Sequence, residues 1–238
     1  MLQIENLVKR YDTNTVLDEV SATFEEGKCY LLLGANGAGK STLAKCIAGD
    51  EGYESGSIQW HNSSTNVSDI VALQYQFFNS YPHLKVREVI QLFQRLIVNA
   101  YDINELYTLL DVSSFEQTLI KNISGGQQKT LSIILAFLLN KKIIILDEPF
   151  ATLDLQRKKV FAEFIKNQIH QDRLFIIISH EIAGFEDLFD SILILHNGKI
   201  TEQGTMNDLR KKYKETTFPG IEGIYFEVTG QVLGGYKK

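Results

Sequence analysis

Gly34-Ala35-Asn36-Gly37-Ala38-Gly39-Lys40-Ser41-Thr42 follows the apolar run Tyr30-Leu31-Leu32-Leu33 and precedes the helix-favouring Leu43-Ala44-Lys45-Cys46-Ile47-Ala48. The stretch fits G-x-x-x-x-G-K-[ST] between a strand and a helix, the setting in which that pattern cradles phosphate groups. Gly34, Gly37 and Gly39, with Asn36 and Ala38 between them, let backbone N–H groups approach an anion. The helix that follows aims its positive end at the same charge. Lys40 is expected at the β- and γ-phosphates, Ser41 on Mg²⁺ through its hydroxyl, and Thr42 at the phosphate end from the first helical turn. A plain glycine-rich turn with a surface lysine explains neither the spacing nor the context.

The 238 residues are 44% hydrophobic, enough for a sizeable core, and read as a single domain over 1–238. Charges of both signs are mixed along the chain and the formal net charge is -5, so non-specific binding to nucleic acid or to an anionic membrane is not expected. No apolar stretch reaches the roughly 20 residues that span a bilayer. The first residues, MLQIENLVKRYD, lack the apolar core of a signal peptide, which implies a cytoplasmic protein. Cys29 and Cys46 have neither metal spacing nor disulfide context and read as reduced core residues, Cys46 close enough to the loop for alkylation to interfere with nucleotide.

Taken in order, residues 2–8 and 16–24 alternate apolar and polar, as half-buried antiparallel strands do. Tyr11 lies in the turn region between them, where an aromatic face can meet a base or simply pack. A short strand is expected over 57–60 and a loop over 61–68. In the segment DIVALQYQFFNSY, residues 69–81, Gln74 and Gln76 are two apart, so on a strand both face one side and either can reach the nucleotide. Val86, Val89, Ile90, Phe93, Leu96 and Ile97 then recur at helical spacing, with shorter amphipathic segments over 103–110 and 115–120. Residues 77–123 therefore read as a helical subdomain inserted between blocks of strand.

Ser124-Gly125-Gly126 opens a strongly apolar helix, another place where backbone N–H groups can meet an anion. The run Ile143-Ile144-Ile145-Leu146 reads as a buried parallel strand delivering Asp147 and Glu148 at its carboxyl end, the edge where open α/β sheets bind ligands. Asp147 is expected to hold Mg²⁺ through water and Glu148 to accept a hydrogen bond from an attacking water. The strand 174–178 likewise ends in Ser179-His180, while His61, His83, His170 and His196 read as surface residues. A hairpin follows over 191–202 around Asn197-Gly198, then a helix over 206–213. Residues 223–228 fit one more strand, and 214–238 form a tail without an assigned role.

Together these motifs resemble the ATP-binding subunit of an ABC transporter from about residue 2 to about residue 210. Ser124-Gly125-Gly126-Gln127 is similar to the signature motif that separates this family from other phosphate-loop ATPases, with Ile123 for the leading leucine. The resemblance implies an α/β phosphate-loop fold with a mainly parallel central sheet, an N-terminal antiparallel β subdomain and a helical subdomain. It implies that Tyr11 stacks on adenine, Gln76 contacts Mg²⁺ and senses the membrane partner, Glu148 is catalytic, Asp154 is the D-loop aspartate and His180 contacts the γ-phosphate. Two positions depart from the family pattern, Tyr75 where proline is usual before the glutamine and Phe150 where threonine is usual.

The resemblance further implies Mg-ATP as ligand and a head-to-tail partner subunit, the same chain or a related one, whose signature motif closes each site. Separate transmembrane permease subunits would hold the protein at the inner face of the membrane. Tyr75, Phe77, Phe78 and Tyr81 are expected to line the permease groove, and Pro82 to Glu88 resembles many exporter subunits, so the expected direction is export. The alternative is a soluble ABC ATPase acting on ribosomes or DNA. It is disfavoured because these residues contain neither a second ATPase domain nor a long coiled coil. An inactive binding module is disfavoured because Lys40, Asp147, Glu148 and His180 are all present.

Overall fold

The computed structural model describes residues 1–61, 65–75, 80–180 and 185–233. In chain order it contains β1 (Leu2–Tyr11), β2 (Asn14–Phe24), β3 (Cys29–Leu33), α1 (Lys40–Ala48), β4 (Ser55–Trp60), α2 (Val67–Ile70), β5 (Val71–Leu73), α3 (Val86–Leu96) and α4 (Asn104–Leu109). There follow α5 (Gly125–Leu138), β6 (Ile143–Asp147), α6 (Leu155–Ile169), β7 (Leu174–Ile178), β8 (Ser191–His196), β9 (Lys199–Gly204), α7 (Met206–Lys212) and α8 (Gly220–Thr229).

The alternating strands β1 and β2 pair antiparallel and, with β4, make a three-stranded sheet in the order β2-β1-β4. The uniformly apolar strands go to the centre of a second sheet, ordered β5-β6-β7-β3-β8-β9, parallel except for the hairpin strand β9. Side chains alternate across this sheet, so it feeds two cores. Leu31, Leu33, Ile144, Leu146, Phe175 and Ile177 pack with the apolar faces of α5, α6 and the helical insertion. Tyr30, Leu32, Ile145, Ile176 and Ile178 pack with α1 and the antiparallel sheet. Phe150, the residue at the threonine position, is fully buried and packs against Phe185 with ring centroids 4.3 Å apart and planes tilted by 38°, so it belongs to the core.

Three local expectations change. Residues 223–228 are helical, inside α8, because Ile221, Ile224, Tyr225 and Val228 lie at i, i+3, i+4 and i+7 and the first three are buried on one face. Residues 115–120 form no α-helix: 115–118 are turn and bend, Leu119 bridges Lys85, and Ile120 opens a short 3-10 turn over Ile120–Asn122. Their backbone is committed elsewhere: the carbonyls of Thr118 and Glu116 accept from Val86 N–H and Arg87 N–H, two of the first-turn donors that α3 cannot satisfy itself. On α3, Val86, Val89 and Ile90 are buried as the stripe requires, but Leu96 is 69% exposed at the helix end. Phe77 and Phe78 of the expected permease groove lie outside the described residues, while Tyr75 and Tyr81 are both exposed.

Candidate active site

Between β3 and α1 the chain turns through Gly39, whose φ of 105° and crowded setting admit no side chain: an added Cβ would stand 2.9 Å from the Val16 carbonyl and from Leu17 Cδ2. Gly34 is equally constrained by contact, since a Cβ there would meet the Leu195 carbonyl at 2.5 Å. The turn therefore lays bare backbone where α1 begins. Gly39 caps that helix with no side-chain hydrogen bond and no acidic residue occupies its first turn, which leaves N–H groups and the positive helix end free for an anion. Lys40 is buried with its ammonium donating to the carbonyls of Gly34 at 2.7 Å and Ala35 at 2.9 Å. Burial lowers its pKa below the ordinary lysine value, with Asp147 and Glu148 pulling it back up.

Strand β6 brings the acids to this loop because β6, β7 and β3 are neighbours with parallel carboxyl ends. The Ser41 hydroxyl donates to Asp147 Oδ2 at 3.0 Å. Glu148 leaves the strand in the left-handed region, φ 53°, with its N–H donating to the Ile178 carbonyl at 2.7 Å. Its Oε2 accepts from the Ser179 hydroxyl at 3.3 Å, and His180 Nε2 stands 2.8 Å from Oε1, an ion pair when the imidazole is protonated. Val16, Asn36, Gly37, Gly39, Lys40, Ser41, Thr42, Asp147, Glu148 and His180 line one cleft of 420 Å³. Serine hydroxyl and carboxylate are hard oxygen donors, so this pair suits Mg²⁺, which keeps several waters and demands few protein ligands.

Other expected site residues stand apart from that cleft. Tyr11 ends β1, 41% exposed, with Lys9 Nζ over its ring 4.8 Å from the centroid; it does not line the cleft, and Val16 does. Ser124 caps α5 reciprocally with Gln127: Gln127 N–H donates to Ser124 Oγ at 3.2 Å and Ser124 N–H to Gln127 Oε1 at 2.9 Å. Gly125 faces open space and Gly126 lies against Thr152. Asp154 caps α6, its Oδ1 accepting from Arg157 N–H at 2.9 Å. Gln76 lies outside the described residues. Gln74, read as able to reach the nucleotide, is engaged with the backbone of β6: it is buried, its Oε1 accepts from Asp147 N–H at 3.1 Å and its Nε2 donates to the Asp147 carbonyl at 3.3 Å. Sequence reasoning missed Ser179 and Val16; Ser179 gave a signal as a small polar residue ending an apolar strand, whereas Val16 gave none.

Strand, bare glycine turn, helix and an acidic neighbouring strand end define a phosphate-loop nucleoside triphosphatase. A family model described as ABC transporter matches residues 17–151, and the chain belongs to that family as an ATP-binding, ATP-hydrolysing subunit. It is 29% identical to the probable sulfate/thiosulfate import ATP-binding protein of Chlorella vulgaris over 93% of this chain and 98% of that protein. It is 30% identical to the spermidine/putrescine import ATP-binding protein of Mycoplasma mycoides over 88% of this chain, spanning only 62% of that longer relative. Among solved structures, an ATP-binding subunit of an ABC transporter superposes with a TM-score of 0.83 at 25% identity, covering 96% of this chain and 99% of the other. A dimeric ATP-binding cassette bound to ADP and Pi superposes with a TM-score of 0.75 at 20% identity, covering 86% and 98%, which shows the shared fold.

Proposed function

We propose that this subunit hydrolyses Mg-ATP in the described cleft and drives solute import through separate transmembrane subunits, working as a dimer at the cytoplasmic face of the membrane. The observation that carries this reading is the convergence of Lys40, Ser41, Asp147, Glu148 and His180 on one cleft beside an uncapped helix start. Lys40 and the N–H groups of α1 bind the phosphates; releasing Lys40 from the Gly34 and Ala35 carbonyls frees its ammonium for them. Glu148, whose Oε1 lies 2.8 Å from His180 Nε2, accepts a hydrogen bond from the attacking water, and His180 beside it meets the γ-phosphate. Ser41 and Asp147 would hold Mg²⁺, which supplies charge neutralisation at the phosphate oxygens when bound.

The position of Ser124, Gly125 and Gly126 outside this chain's own cleft favours a head-to-tail dimer in which they cover the partner's nucleotide. Intact motifs in one chain make a homodimer sufficient. A cassette of the same fold is dimeric, which supports a dimer. Tyr11 and Gln76 are retained as adenine and Mg²⁺ contacts on the family resemblance. Import replaces the export expected from Pro82 to Glu88, because the relatives named above are import proteins. Among the described residues no helix is long and apolar enough to cross a membrane; the separate permease is proposed because the relatives are named as import ATP-binding proteins. The net charge of -5 favours no nucleic-acid partner.

The test is Glu148→Gln. That variant should bind ATP, lose hydrolysis by about 100-fold or more, and run as a dimer in size-exclusion chromatography only when Mg-ATP is present. Hydrolysis at the wild-type rate would remove Glu148 from its role. A monomer that still binds ATP would replace the homodimer by a different partner subunit.

A further inference from the structure

A residue with a Cβ avoids the left-handed backbone region unless its surroundings impose it, and Glu148 stands there with φ 53°. The backbone on both sides is held. From β7 the Ile178 carbonyl accepts the Glu148 N–H at 2.7 Å. The Glu148 carbonyl accepts from Ala151 N–H at 3.3 Å within its own turn, and from the Lys129 ammonium at 3.1 Å. Lys129 lies one turn into α5, the helix whose cap is Ser124, and is half-buried on the side facing β6. The only charged donor on that carbonyl among the described residues thus comes from the helix that carries the signature motif.

We infer that Lys129 is a positioning residue for hydrolysis, fixing the Glu148 peptide so that its carboxylate points into the cleft and making it move as one body with α5. The inference rests on the reading of Glu148 as the group that orients water. A peptide flip out of the left-handed region would swing both the carbonyl and the side chain, and Lys129 opposes that flip through a charge-assisted hydrogen bond. ATP binding does not depend on this contact, because the phosphate donors come from α1 and the loop before it. Loss of Lys129 therefore acts on turnover and not on affinity.

The experiment is a cycle of Lys129→Met, Glu148→Gln and the double variant, with Lys129→Arg as the conservative control, each checked for wild-type thermal unfolding. Lys129→Met should lower kcat about tenfold at unchanged KM for ATP, the scale of one hydrogen bond from a charged donor. Arginine should restore kcat to within about threefold, since it keeps the charge and the reach. In the Glu148→Gln background the methionine change should cost nothing more, because both act through one carboxylate. Wild-type kcat in Lys129→Met alongside a dead Glu148→Gln would overturn the inference and leave the Glu148 reading standing. A raised KM with normal kcat, or additive losses in the double variant, would overturn it as well. Full activity in Glu148→Gln would instead remove the Glu148 reading, and the inference with it.

Discussion

Cys46 lies 3% exposed on the core face of α1, six residues past Lys40, and burial pushes its thiol up to about 11 from 9.0, with Lys9 opposing and Glu51 and Glu54 adding to the rise. A raised folded-state pKa stabilises the fold fully below the unfolded value, and the contribution is lost as pH rises from 9.0 through about 11. At pH 8 the thiolate is about 100-fold scarcer than in an ordinary cysteine, and Cys29 is shifted upward by burial too. Native protein should thus resist iodoacetamide at pH 8, keep its ATP affinity, and take up two labels only after denaturation, as read by mass spectrometry. Rapid labelling of the folded chain would contradict this. The sequence placed Cys46 near the loop correctly but could not tell which helix face it occupies, and that face removes the expected interference with nucleotide. Gly39 carries a second prediction at this scale. Its φ of 105° and the 2.9 Å approach to the Val16 carbonyl make Gly39→Ala costly, about 2 kcal/mol or more in urea unfolding.

Elements were legible where one period dominated. The strands β3, β6 and β7 are unbroken apolar runs, and α3 has an apolar stripe at 3.6-residue spacing, so both kinds announced themselves. In α8 the window 223–228 also alternates Ile224, Phe226 and Val228, and only the inclusion of Ile221 shows the helical period. Residues 115–120 have a helix-like pattern, but their carbonyls are recruited to the start of α3, a tertiary demand that local pattern cannot carry. The same limit hid the job of Gln74. Its side chain bridges the end of β5 to both backbone groups of Asp147, replacing a ladder rung where the strand has ended. Gln74→Leu keeps the volume and removes the hydrogen bonds that Gln74 makes to the Asp147 N–H and carbonyl. The expected cost is about 2–3 kcal/mol, seen as a lower urea midpoint at unchanged slope, together with slower ATP hydrolysis because Asp147 moves. An unchanged midpoint would mean that water replaces the amide.

At the scale of the molecule, the sheet order β6-β7-β3 gathers Asp147, Ser179 and the glycine turn at one edge, and that order follows from parallel connections more than from any single residue. The sequence therefore yielded the cleft's members apart from Val16, while the separation of Tyr11 and the signature residues from the cleft became visible only in the fold. The C-terminal helix extends the argument beyond the region that the family model covers, residues 17–151. Ile221, Ile224 and Tyr225 of α8 are 4%, 1% and 0% exposed and join the core that holds Leu31, Leu33, Ile192 and Ile194 under the phosphate loop. Burying three such side chains is worth at most about 9 kcal/mol, comparable with the whole stability of a domain, roughly 5–15 kcal/mol. A chain ending at Tyr213 should accordingly lose cooperative unfolding or show its urea midpoint sharply reduced, with new binding of an apolar dye. Ile224→Ala gives the graded version, about 2–4 kcal/mol lost through the cavity it leaves, with ATP hydrolysis falling only as the folded fraction falls. If the shortened chain kept the full midpoint, α8 would be a dispensable cover, and the residues beneath it would hold the phosphate loop without help from the C-terminal segment.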